Sequence, residues 1–87
     1  MESVEVGKVY RHFKGNYYLV EDIALDSRTC QRMVVYKPLY SGEHSCSWVR
    51  PEYEFLEELP EGREDNITGQ AIRFELVENL HKDYTVE

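Results

Sequence analysis

The stretch Val9-Tyr10-Arg11-His12-Phe13-Lys14-Gly15-Asn16-Tyr17-Tyr18-Leu19-Val20 decides the fold. Its flanks are rich in aromatic and β-branched residues, which suit a pleated surface. Gly15 and Asn16, the two residue types that tolerate positive φ, interrupt it. Two strand-like runs around such a pair read as a tight hairpin. Alternation puts Arg11 and Phe13 on one side of the first strand, and Tyr10 and His12 on the other.

Working outward, the apolar phase shifts at Ile23-Ala24-Leu25, as a bulge requires. Asp26-Ser27-Arg28-Thr29 reads as a polar turn before Met33-Val34-Val35-Tyr36, a continuous apolar run typical of a central strand. Pro38 cannot donate a ladder bond, so pairing is expected to loosen there. Residues 41–45 form a loop around Gly42. Ser47-Trp48-Val49-Arg50 is long enough for one short strand. Pro51 then opens a helical turn, with Glu52 and Glu54 near its positive end. That turn is expected to return Tyr53 and Phe55 to the body, with a further strand at Leu56–Leu59. Residues 60–70 are a long polar surface loop with packing power only in Ile67. From Ala71 to Val77 the pattern alternates, with Ile72, Phe74 and Leu76 on one side and Arg73 and Glu75 on the other. Residues 78–87 read as a frayed end or a short helix.

Together these segments predict one mostly β domain over residues 1–87, with its core at about 7–77. Its expected form is a small SH3-like barrel or, failing closure, a strongly bent antiparallel sheet, with one short helical turn. Eighty-seven residues leave little room for a second domain, so burial falls to seven Tyr, three Phe and one Trp. Seventeen acidic residues against ten basic ones give a formal charge of −7, which disfavours nucleic acid as a partner. The two cysteines, Cys30 and Cys46, lack C-x-x-C spacing, and no apolar run reaches spanning length. The expectation is a cytoplasmic protein with reduced thiols, a buried or half-buried Cys30 and no membrane association.

Three segments resemble a known family: Tyr10-Arg11-His12-Phe13-Lys14-Gly15, then Met33-Val34-Val35-Tyr36 with Leu39-Tyr40, then Trp48-Val49-Arg50-Pro51 with Phe55. With the closing Arg73-Phe74, their order and spacing are similar to the small, mostly bacterial family catalogued as domain of unknown function 1653. The resemblance spans about Gly7 to Val77. It implies a compact β-rich domain that commonly forms a whole small protein, and it implies no activity. Three departures fall in turns and loops: Asp26-Ser27-Arg28-Thr29 replaces the family's His-Ser-Glu-Thr turn, residues 41–47 lack its Gly-rich approach to the Trp, and the loop at 60–69 is longer.

The chemistry is sparse. His44-Ser45-Cys46 with Cys30 or His12 offers nitrogen and sulfur ligands, but zinc sites announce themselves by paired close spacings, so no metal or cofactor is expected. No nucleophile elbow or oriented base is present, and the Glu-rich stretch 52–61 reads as a solvated face, so no enzyme activity is expected. The candidate ligand-binding set is Arg11, His12, Lys14, Tyr36, Trp48 and Arg50, cations and aromatics able to hold an anionic or planar group. The bland alternative is that Tyr10, Tyr36 and Trp48 serve the core or its rim, and that Arg50 pairs with Glu52 or Glu54. The expected function is a non-catalytic binding module for a protein, peptide or small anionic ligand. The alternative is a structural or homo-oligomerising protein without a ligand site.

Overall fold

A computed structural model describes residues 3–39 and 46–81, with side chains described through residue 78. The expected loop at 41–45, the ligand candidate His44 and the tail beyond residue 81 lie outside the described residues. The elements are β1 (Lys8–His12), β2 (Tyr17–Leu25), β3 (Arg32–Pro38), β4 (Trp48–Pro51), α1 (Glu52–Phe55) and β5 (Phe74–His81). All the strand pairings are antiparallel, and the sheet order is β4-β3-β2-β1-β5.

The hairpin forms where Gly15 and Asn16 place it. Gly15 takes φ 106°, its amide donates to the His12 carbonyl, and the His12 amide donates to the Asn16 carbonyl. The phase shift in β2 is a register slip between Val20 and Asp22, which keeps Val20 and Ile23 on the same face against Tyr36 and Val34. One turn departs from expectation: Cys30 is exposed at φ 61°, in the left-handed region, with its amide donating to Asp26. The Asp26 carboxylate accepts from the amides of Arg28 and Thr29, and that local bonding holds the turn in shape.

Among the described residues no pairing joins β4 to β5, so the expected barrel does not close. The strongly bent sheet is what forms. Phe74 on β5 and Tyr36 on β3 are three strands apart, about 14 Å in a flat sheet, yet their ring centroids stand 5.4 Å apart. Helix α1 fills the mouth that closure would have sealed. Its Phe55 is fully buried and stacks on Phe74 with centroids 4.0 Å apart and planes 5° from parallel. Tyr10 and Tyr36 meet Phe55 edge-on at 5.3 and 5.4 Å. Between β4 and β5 themselves, side chains and not ladder bonds make the connection.

Other expectations need correcting. Tyr53 does not return to the body and stays 65% exposed. Val4, in the polar lead-in, is buried in the core, and its amide donates to the Glu52 carboxylate at 3.0 Å. The strand expected at Leu56–Leu59 is reduced to a single bridge between Glu58 and Ile72. Residues 57–59 bond to 71–73, and β5 starts at Phe74 and runs to His81, into the segment expected to fray.

Candidate functional site

Four of the six candidate residues share one face of the sheet, and β4 carries two of them there. Trp48 lies opposite Tyr36, and Arg50 lies opposite Val34. Paired residues in an antiparallel ladder project to the same side, so Trp48 and Arg50 stand at the border of the aromatic core. The Arg50 guanidinium donates from Nε to the Tyr36 hydroxyl at 3.3 Å and from Nη1 to Glu54 at 3.3 Å. Its carbon lies 5.9 Å from the Phe74 ring centroid. His12 reaches the same ring from β1, edge-on at 4.8 Å. Arg50, Tyr36 and His12 therefore meet around Phe74.

Trp48 is 47% exposed, so it stands at the rim of the core and not within it. Tyr36 is buried, and its hydroxyl accepts from Arg50. Arg11 does not join them. Strand alternation sends it to the opposite face, where its Nε donates to Gln70 at 2.9 Å and Nη2 sits 3.7 Å from Glu75. Lys14 stands at the hairpin tip, 4.0 Å from Asp65.

His12 is held as one neutral tautomer. The Lys14 amide donates to Nδ1 at 3.1 Å, so Nδ1 is unprotonated and the proton resides on Nε2. Burial, then the charges of Arg73, Arg50, Lys14 and Arg63, push the ring's pKa down to about 4. Arg73 and Arg63 were missing from the candidate set. Both converge on Phe13, at 5.7 and 4.6 Å from its centroid, and His12 stacks on the same ring at 4.3 Å. Nothing local marks Arg63, since only the fold of the 60–70 loop brings it to Phe13.

A pH dependence follows. The folded ring has a pKa near 4 against 6.5 in the open chain, so the unfolded state binds the proton first. His12 therefore contributes its full stabilisation above pH 6.5, and loses it as pH falls from 6.5 to about 4. With allowance for solvent screening of a partly exposed ring, the loss is on the order of 1–2 kcal/mol. Arg32, Arg73 and Arg63 hold Glu52, Glu57 and Asp65 below the usual carboxylate range, and these add their own loss at lower pH. Urea midpoints at pH 7, 6 and 5 should decline for the native chain and stay nearly level for His12→Asn, whose side-chain oxygen can accept the Lys14 amide. Equal slopes for both proteins would remove His12 as the cause.

Two concavities lie elsewhere. One groove runs along the 58–63 segment and Gln70–Ile72, and another between Tyr10, Leu56, Ile72 and Leu76 with Glu5 and Glu78 beside it. Among the described residues no three His, Cys, Asp or Glu side chains gather as a metal site would need. Nor, among them, is any helix long and apolar enough to cross a membrane.

A search of curated proteins returns no match. Among solved structures, the chain is similar to the crystal structure of a protein of the DUF1653 family from Bordetella bronchiseptica, at 30% identity and a TM-score of 0.66. That match covers 84% of this chain and 87% of the other. The family model described as "Protein of unknown function (DUF1653)" matches residues 8–76. The match takes in the hairpin, the Trp48 strand and Phe74, so the chain belongs to the DUF1653 family.

Proposed function

We propose that this chain is a non-catalytic, cytoplasmic binding module whose ligand surface is the face bearing His12, Trp48 and Arg50. The observation that carries the reading is the position of Trp48. A domain of this size needs its large aromatics for burial, yet its sole Trp stands 47% exposed beside a half-buried arginine. Exposed Trp and Arg are the side chains most often found where binding energy concentrates. Arg50 also keeps Nη2 without a protein partner among the described residues, and His12 keeps its Nε2 proton likewise. These are two donors directed by fixed neighbours, which suits an anionic group.

Thermal shift measurements against small acids and acidic peptides test the module. A ligand at a hundred times its Kd should stabilise the native chain by about 2.7 kcal/mol. Arg50→Ala should respond far less, while its unliganded stability falls by about 1–3 kcal/mol, because the buried Tyr36 hydroxyl loses its donor along with the partly exposed Arg50–Glu54 pair. Two proteins of equal stability, neither responding to any ligand, would end the reading.

One observation favours a second reading. Val49 and Tyr53 are exposed along with Trp48, within one short segment at the sheet edge. A second copy pairing along β4 would cover all three. Sedimentation giving a monomer mass at every concentration excludes that version.

A further inference from the structure

We propose that the ligand of this surface is a flat aromatic monocarboxylate, its carboxylate on Arg50 and its ring against Trp48. The inference rests on the binding-module reading and names the class of compound that the surface takes. Charge selects the anion. Four cations gather around Phe13 and Phe74, namely Lys14, Arg50, Arg63 and Arg73. Three carboxylates answer them: Glu54 pairs with Arg50, Glu57 with Arg73, and Asp65 with both Arg63 and Lys14. Among the described residues the group lacks one negative charge, which a single carboxylate supplies and a phosphate dianion exceeds.

Donor geometry agrees with that count. Arg73 donates from both Nε and Nη2 to Glu57 Oε1, and Arg63 donates from Nε and Nη2 to the two oxygens of Asp65. Arg50 is held more loosely, by single 3.3 Å bonds to Tyr36 and Glu54, and has Nη2 to spare. Of the three arginines it is the one best placed to exchange its partner for a ligand, and unlike Lys14, which shares Asp65 at the exposed hairpin tip, it stands on the face of Trp48. Neutral His12, with its proton on Nε2, adds a donor across Phe74 without a second full charge. The ring requirement comes from Trp48, two residues along the same strand and on the same face as Arg50, with a backbone spacing of about 7 Å. An acid whose carboxylate is attached directly to an aromatic ring spans that separation.

The single Trp makes the test direct, because indole fluorescence reports Trp48 alone. Benzoate is titrated against benzamide, acetate, inorganic phosphate and an acidic peptide. Benzoate should change the emission saturably, with benzamide, acetate and phosphate each at least 10-fold weaker. Arg50→Gln should weaken benzoate at least 10-fold. Glu54→Gln, which frees Arg50, should tighten it several-fold, so the result does not hang on one variant's folding. Bound benzoate should also raise the pKa of His12 followed by NMR. Saturable binding of phosphate or the peptide with none of benzoate overturns the aromatic carboxylate and leaves the module standing. No response to any of the five overturns both. Benzoate binding that ignores Arg50→Gln and Glu54→Gln overturns the assignment to Arg50.

Discussion

Phe74→Ala should remove about 3–5 kcal/mol of stability, the usual cost of deleting a buried aromatic ring. A domain of this length has a total of roughly 4–13 kcal/mol to lose. Phe74 is placed at the high end by what it touches. It stacks on Phe55 at 4.0 Å and meets Tyr36, Tyr18 and His12 edge-on at 5.4, 5.5 and 4.8 Å. Aromatic pairs contribute about 0.5–1.5 kcal/mol beyond their buried area, so several contacts add to the cavity left behind. The ring also joins the two ends of the unclosed sheet. Its loss frees β5 from β3 as well as emptying the core. Urea unfolding should show a much lower midpoint for Phe74→Ala, and a smaller loss for Phe74→Leu, which keeps most of the volume but not the stacking. A loss below 1 kcal/mol for the alanine variant would mean that the sheet is held together by something else. Where Phe74→Leu folds, His12 should titrate closer to 6.5, because the edge contact that buries it is gone.

The face carrying these rings was legible because alternation is a local rule. Tyr10 with His12, Tyr18 with Val20, and Phe74 with Leu76 stand two residues apart and project to one side of their strands, as pleating requires. The same rule separated Arg11 from His12 before any contact was known. Glycine and asparagine fixed the hairpin, and the phase shift near Ile23 marked the bulge. What could not be read was how far the sheet curls. Closure depends on whether β5 reaches β4, and that depends on Phe55 filling the gap, a contact between residues distant in sequence. Nor could the exposure of Trp48 be read, since composition alone assigns a sole Trp to the core. Arg63 and Arg73 came to the site through the path of the 60–70 loop, which no periodicity describes.

That loop holds the largest misreading. Ile67 was its one expected anchor, yet Ile67 is 72% exposed. The buried residue is Gln70, 6% exposed, in a Gly-Gln-Ala setting that reads as surface. Its burial arises because the backbone of β1 and the residues leading into β5 offer it complementary partners. Its Oε1 accepts from Arg11 Nε at 2.9 Å, and its Nε2 donates to the carbonyls of Arg11 and Ile72 at 3.0 and 3.1 Å. Asn66 Nδ2 donates to the Gln70 carbonyl at 2.9 Å. One amide thus ties the loop to both strands, and through the loop it sets Arg63 against Phe13.

Gln70→Ala should therefore cost about 2–3 kcal/mol, as buried carbonyls lose their donor and Arg11 loses its acceptor. A gap in packing alone predicts a similar number, so Gln70→Glu is the discriminating variant. It keeps the size and the acceptor for Arg11, but at neutral pH it turns an anionic oxygen toward the two carbonyls that received the amide protons. Burial and those two carbonyls raise the carboxyl pKa, and the Arg11 guanidinium, one-third exposed and shared with Glu75, offsets only part of that, so the folded value should stand above the unfolded one and protonation favours folding. Stability relative to the native chain should be low at pH 7 and recover as pH falls through the raised pKa, when a protonated oxygen can donate again. Urea midpoints of both proteins between pH 7 and 4.5 measure that difference. A Gln70→Glu deficit that stays constant across the range would show that the hydrogen bonds to Arg11 and Ile72 do not hold the loop.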